Sequence, residues 1–227
     1  MSLPFEVIDL THTLSAETPT WTGDCGFEYE LLFDYDPADP VKFRIHKIHM
    51  SAGTGTHLDA PLHCFANATD IATIPLHDLI APCVVIDVSY CEPDYVVCVQ
   101  DIEDFEARYG AIPQECFVII HTGWSRFWDE PIRYRNDLVF PSISLEAAQY
   151  FLDRKIVGLG IDTLSPDTAT SGYPVHHLLL GAGKYLVENV ANANKLPAVG
   201  AYSFVLPVKI KEGTEAPVRM IGVTIRQ

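Results

Sequence analysis

Short apolar segments separated by turn residues dominate the chain and restrict it to folds built on β-sheets. Eight segments alternate polar and apolar residues or run continuously apolar, as β-strands do: 5–10, 27–33, 43–50, 83–88, 116–121, 156–161, 202–208 and 218–225. Helical signals are fewer and cover 101–109, 144–154 and 176–180. Strands with interspersed helices predict an α/β or α+β fold in which several strands pair antiparallel.

Length and charge limit the kinds of protein that the chain can be. Its 227 residues, 48% hydrophobic and 20% charged, are typical of a globular protein. Because no repeat or linker interrupts them, we expect one domain over residues 1–227. Thirty acidic against 15 basic residues give a net charge of −15, so neither nucleic acid nor a membrane is expected as a partner. The acidic excess either serves solubility or includes carboxylates that hold a cation.

Targeting and redox signals favour a cytoplasmic protein. The first basic residue is Lys42, so this sequence has neither the basic start of a secretory signal nor an Arg-rich transit peptide. The six cysteines include no C-x-x-C pair. We therefore expect buried free thiols in place of disulfides or a thiolate zinc site, and a cytoplasmic location.

The segment 53–63, Gly-Thr-Gly-Thr-His-Leu-Asp-Ala-Pro-Leu-His, carries the clearest chemical signal. Side chains two residues apart share a face in extended backbone, which aims His57 and Asp59 at one point. An imidazole and a carboxylate that converge in this way suit Zn²⁺ or Mn²⁺. Pro61 fixes a turn that would bring His63 back beside them.

A second group of residues, His176, His177 and Glu188, could complete such a site. A helix followed by a strand, with glycines between them, could return Glu188 to the neighbourhood of His176. The spacing alone does not distinguish this pair from a core histidine and a surface glutamate. We take His176 over His177 as the candidate because it stands 12 residues before Glu188.

The segment 53–63 resembles the H-x-G-T-H-x-D-x-P-x-H motif of the cyclase family of metal-dependent hydrolases, which includes kynurenine formamidases and isatin hydrolases. It matches the motif at every fixed position except the first, where Gly53 stands in place of histidine. Further features typical of the family recur in order along nearly the whole chain: Trp21, 122–124, 160–167, 179–181, Glu188 and 216–219.

The resemblance implies a swivelling β/β/α-type fold, a homodimer, a small-molecule substrate and a divalent-metal site. Carried over position by position, it makes four residues metal ligands: His57, Asp59, His176 and Glu188. Asp59 is the one that could bridge two metals. His63 matches the family's proton-transferring histidine, and Trp21 matches a tryptophan that contacts the substrate. Phe65 could extend this aromatic platform or belong to the core.

Gly53 is the departure from the family pattern, because glycine has no side chain with which to bind a metal. Three consequences are open: a single metal in place of two, a substitute ligand such as His49 or His12, or a site that no longer catalyses. We expect one Zn²⁺ or Mn²⁺ per chain, although two are compatible with the resemblance. The expected ligands are those that remain: His57, Asp59, His176 and Glu188.

The reaction that the resemblance implies is hydrolysis of an amide-type C–N bond, either N-formyl or lactam, in a small aromatic substrate. Metal-activated water would attack the carbonyl, with His63 as the proton shuttle. Two alternatives stay open. The chain could be a non-catalytic family member that binds a metal or a ligand, or a metal-dependent cyclase or lyase.

Overall fold

The computed structural model describes residues 4–38, 40 and 42–225. Within these residues the chain forms thirteen strands: β1 Phe5–Asp9, β2 Phe27–Phe33, β3 Ile45–Met50, β4 His57–Asp59, β5 Ile80–Asp87, β6 Val96–Val97, β7 Phe117–His121, β8 Ser142–Ile143, β9 Gly158–Ile161, β10 Tyr185–Glu188, β11 Ala201–Phe204, β12 Glu215–Pro217 and β13 Ile221–Ile225. The α-helices are α1 Val99–Tyr109, α2 Pro131–Arg135, α3 Leu145–Asp153 and α4 Pro174–Gly181. Short 3₁₀ turns occupy Pro61–His63, Trp124–Phe127, Asn136–Leu138 and Ala193–Lys195.

One large sheet organises the fold. Its nine strands follow the order β1-β13-β11-β5-β7-β9-β10-β4-β12. The run from β5 through β7 and β9 to β10 is parallel, and the other neighbouring pairs are antiparallel. Two separate ribbons pair β2 with β3 antiparallel and β6 with β8 parallel. The predicted α/β fold with a mixed, largely antiparallel sheet system is confirmed.

The core lies on both faces of this sheet. Strand β7 is buried at all of its positions, as expected for a parallel strand that is covered on both sides. Helices α1, α3 and α4 cover one face with apolar side chains such as Phe105, Phe151 and Leu179. In the second core, Ile8 from β1 and Leu58 from β4 belong to one cluster, so the sheet curls until its two ends approach each other.

Local signals explain where the predicted helices begin and end. α1 starts two residues earlier than predicted, because the side chain of Asp101 accepts a hydrogen bond of 2.8 Å from the backbone N–H of Cys98. It ends at Gly110, whose φ of +91° suits glycine. Ser144 caps α3 as predicted, since its Oγ accepts from the N–H of Ala147 at 3.1 Å. Helix α2 was not predicted, because five residues are too few to show a helical period.

All eight predicted strands are present, and all six cysteines are free thiols. Only Cys83 and Cys116 are fully buried, however, whereas Cys25 and Cys98 are exposed. No helix in the described part of the chain is long and apolar enough to cross a bilayer.

The glycines of β9 make room for aromatic side chains on the neighbouring strands. Gly158 pairs with Phe117 on one side and with Tyr185 on the other, and the two rings stack with centroids 5.5 Å apart. A Cβ added at Gly158 would lie 2.7 Å from two ring carbons of Tyr185. The ring cannot retreat easily, because its hydroxyl donates to the carbonyl of Asp78 at 2.9 Å.

We therefore expect Gly158→Ala to lower the free energy of unfolding by about 1–3 kcal/mol, as overpacking does in other cores. Urea denaturation of the variant and the wild type measures the difference. In a Tyr185→Leu background the same substitution should cost less, because the obstructing ring is gone. An equal cost in both backgrounds would show that the clash with Tyr185 is not the cause.

Candidate metal centre

Strand β4 collects the candidate ligands because it lies between two antiparallel partners. His57 is opposite Glu188 of β10, and Asp59 is opposite Glu215 of β12. Directly opposite residues of antiparallel strands project to the same side, as do residues two apart along one strand. The pairing register therefore brings two carboxylates from neighbouring strands to the histidine and aspartate of β4.

The Gly-Thr step before β4 fixes the start of the strand. Gly55 has a φ of +71° and packs so closely on Leu14 that a Cβ there would collide with it. The hydroxyl of Thr56 accepts from the N–H of His12 at 3.0 Å and donates to the carbonyl of Asn189 at 2.7 Å. These contacts join the start of β4 to the residue that follows Glu188.

His57 presents its Nε2 atom to the carboxylates. Its Nδ1–H donates to the carbonyl of Gly55 at 2.8 Å, which leaves Nε2 as the nitrogen free to bind. That Nε2 lies 3.3 Å from Oδ1 of Asp59 and 3.4 Å from Oε2 of Glu188. The imidazole is therefore held in the orientation that a metal ligand needs.

His176 approaches the same carboxylates from α4. Its Nε2 lies 3.6 Å from Oδ2 of Asp59 and 3.4 Å from Oε1 of Glu188. Its Nδ1–H donates to Asp167 at 2.8 Å, and this carboxylate also accepts from the N–H groups at the start of α4. A carboxylate behind the imidazole is the usual support of a metal-binding histidine. His177 is exposed, so the structure brings His176 into the cluster and leaves His177 at its rim.

The charges of the cluster depend on one another. Burial alone would disfavour imidazolium at both histidines, but the adjacent carboxylates outweigh it. They raise the pKa of His57 well above its usual range and that of His176 to about 12. Burial would also raise the pKa of Asp59, yet the imidazoles of His57 and His176 lower it. Buried carboxylates at this density need positive charge beside them, whether protons or a metal ion.

The donor set fits a divalent metal. Two groups of side chains in the described residues could each hold an ion, and they share Asp59: His57, Asp59 and Glu215; and Asp59, His176 and Glu188. The Oδ1 atom of Asp59 is buried and has no hydrogen-bond partner among the described residues, although Nε2 of His57 is only 3.3 Å away. Imidazole and carboxylate side chains of this kind are ligands that divalent metals accept.

His63 lies beside the cluster, on the 3₁₀ turn after Pro61. Its Nδ1 is 3.3 Å from Oε2 of Glu215, and this contact raises the pKa of His63 and lowers that of Glu215. Sequence reasoning did not identify Glu215. The one available signal was its position directly before the family feature at 216–219.

A cavity of about 380 Å³ opens above the cluster. Trp21 and Tyr173 line it, with ring centroids 6.0 Å apart, and Leu164 adds an aliphatic wall. Tyr173 adopts a left-handed backbone conformation, with a φ of +58°, at the start of α4. The cavity therefore joins an aromatic wall to a charged floor, which suits a small aromatic molecule that carries a polar group.

Three candidates from the sequence lie elsewhere. Phe65 is not part of the cavity lining, because the turn after Pro61 directs it outward against His177 and Gly181; Tyr173 supplies the second ring instead. His12 stacks on Trp128, with centroids 3.9 Å apart. His49 is exposed on β3 beside Glu30. Neither histidine belongs to the two potential metal groups of the described residues.

Known proteins resemble the chain over nearly its whole length. The Cyclase family model matches residues 8–168, which is more than half of the chain. Isatin hydrolase from Roseibium aggregatum is 31% identical to this chain, in an alignment that covers 96% of this chain and 91% of the relative. Kynurenine formamidase from Bacillus cytotoxicus is 28% identical over 95% and 96% of the two chains. A solved isatin hydrolase bound to the product analogue thioisatinate superimposes with a TM-score of 0.89, at 28% identity over 98% of this chain and 94% of that one. The chain belongs to the cyclase family.

Proposed function

We propose that the protein is a metal-dependent hydrolase that cleaves an amide-type C–N bond, N-formyl or lactam, in a small aromatic substrate. The observation that carries this proposal is the shared carboxylate of Asp59, buried between two imidazoles at the floor of an aromatic-walled cavity. The relatives support the bond type, because a formamidase and a hydrolase of the cyclic amide isatin both break amide C–N bonds.

The proposed metal ligands are four side chains: Asp59, His176 and Glu188, which lie close enough to hold one ion, and His57, whose Nε2 lies 3.4 Å from Glu188. A bound divalent ion would lower the pKa of water and polarise the substrate carbonyl. The chain's contribution is to hold these four buried side chains in position for the ion. Asp167 maintains the tautomer of His176, and the carbonyl of Gly55 maintains that of His57.

His63 is the proposed proton-transfer group. Its Nδ1 faces Oε2 of Glu215 at 3.3 Å, so Nε2 is the nitrogen available to the substrate. Nε2 would accept the proton from the attacking water and return it to the departing nitrogen, with Glu215 stabilising the imidazolium between the two transfers. Trp21 and Tyr173 would orient the aromatic part of the substrate between them.

Metal binding should stabilise the folded protein. For chelator-treated protein, Mn²⁺ or Zn²⁺ at about 100 times its Kd should raise the Tm by about 5–10 °C, because the unfolded chain lacks the assembled site. Asp59→Asn should lose most of this shift, whereas Asp104→Asn on the exposed face of α1 should keep it. Equal Tm shifts in all three proteins would contradict the assignment of Asp59 as a metal ligand.

Loss of the proton-transfer group should impair chemistry without removing the metal. His63→Gln should lower kcat about 10²–10⁴-fold on isatin or on an N-formyl aromatic amine, while metal content per chain stays at the wild-type level. The matched control is His77→Gln, at an exposed histidine outside the cavity. A His63 variant that loses its metal would make His63 a ligand instead.

We also propose that the protein is a homodimer formed through the β2-β3 ribbon. Tyr29, Leu31 and Ile48 lie on one face of this ribbon and are 63%, 49% and 59% exposed. The opposite face carries charged residues, among them Glu30 and Lys47. An isolated two-stranded ribbon is marginally stable at best, and an exposed apolar face on it is typical of a subunit contact. A second copy of this chain is the occupant that the family resemblance implies.

Placing a charge on the apolar face should weaken the dimer. Ile48→Glu should shift the mass measured by light scattering after size-exclusion chromatography from dimer toward monomer, because the carboxylate would be buried without a partner. Lys47→Ala, on the opposite face, should remain dimeric. A wild-type protein that elutes as a monomer at micromolar concentration would contradict the proposal.

A further inference from the structure

Glu215 occupies the space that the family's first motif histidine would need. A Cβ built on Gly53 would collide with Oε1 of Glu215 and lie 3.3 Å from Nε2 of His57. A side chain at position 53 and the present position of Glu215 therefore exclude each other. The carboxylate of Glu215, on β12, thus lies in the space where the motif has its first imidazole.

Beside Glu215, the carboxylate of Asp59 has one oxygen without a hydrogen-bond partner among the described residues. Oδ1 of Asp59 is buried, with the residue 2% exposed, and it accepts no hydrogen bond from the described residues, although Nε2 of His57 faces it at 3.3 Å. With Nδ1–H donating to Gly55, the neutral imidazole of His57 presents the lone pair of Nε2 to this space. With Glu215 added, three electron-pair donors lie within 4.8 Å of one another.

We infer that Glu215 replaces the missing histidine as a metal ligand, and that the chain keeps two metal positions which share Asp59. One position would be formed by Asp59, His176 and Glu188, and the other by His57, Asp59 and Glu215. This inference rests on the proposed metal-dependent function. It departs from the expectation of a single metal, which took the loss at position 53 to be uncompensated.

A glutamate in place of a histidine also changes which metal the position formed by His57, Asp59 and Glu215 would favour. A carboxylate is a harder ligand than an imidazole, so two carboxylates and one imidazole suit Mn²⁺ better than one carboxylate and two imidazoles do. Zn²⁺ binds most sites of this kind more tightly than Mn²⁺, and the carboxylate narrows that advantage.

Contact with His63 does not compete with this role. Oε2 of Glu215 faces Nδ1 of His63 at 3.3 Å, whereas Oε1 is the atom that faces the space above Gly53. One carboxylate can therefore bind a metal through one oxygen and orient the proton-transferring histidine through the other. Removing Glu215 would affect both, which is why activity alone cannot test the assignment.

The test is the number of Mn²⁺ ions that chelator-treated protein binds, measured by equilibrium dialysis with elemental analysis and by the electron paramagnetic resonance signal of coupled Mn²⁺ pairs. The wild type should bind two ions per chain and show the coupled signal. Glu215→Ala should bind one and show an uncoupled signal. Glu212→Ala, at an exposed glutamate three residues earlier, should behave as the wild type.

A reciprocal exchange keeps the test independent of folding defects. Gly53→His combined with Glu215→Ala should recover the second ion, with a larger preference for Zn²⁺ over Mn²⁺ than the wild type has. Two ions in Glu215→Ala, or a single ion in the wild type, would overturn the inference while leaving a one-metal hydrolase intact. Wild-type protein that binds no ion and cleaves no amide would overturn the proposed function as well.

Discussion

The carboxylate of Asp59 is the constraint on which the rest of the site depends. It is buried at the end of β4, its Oδ2 faces His176, and its Oδ1 accepts no hydrogen bond from the described residues. A buried carboxylate in this position is costly unless positive charge lies against it. The surrounding residues are arranged around that requirement, since two imidazoles point their Nε2 atoms toward the carboxylate.

The sheet order explains how so few residues achieve this convergence. Strand β4 has only three residues, but its antiparallel pairing with β10 and β12 places Glu188 and Glu215 opposite its histidine and aspartate. Helix α4 then delivers His176, with Asp167 serving both as its hydrogen-bond partner and as acceptor for the first N–H groups of the helix. Fold and site therefore share the same hydrogen bonds, so metal binding at this site would be coupled to the stability of the fold.

Sequence reasoning succeeded where the signal was local. The period of two along β4 placed His57 and Asp59 together, and the structure brings the other predicted ligands to them. Glu215 was missed because its position depends on pairing between two three-residue strands far apart in the chain, which no periodicity records. The sequence left Phe65 open between an aromatic platform and the core, because the direction of a side chain after a 3₁₀ turn depends on that turn's geometry. The β2 and β3 strands were predicted, but their exposure as a separate ribbon follows from tertiary packing alone.

The most direct test of a carboxylate shared between metal positions is crystallographic. Anomalous diffraction at the manganese absorption edge, from crystals grown with Mn²⁺, locates each ion against the side chains. Two peaks should flank Asp59, one bounded by His176 and Glu188 and the other by His57 and Glu215. Peaks confined to surface carboxylates, with none within ligand distance of Asp59, would contradict it.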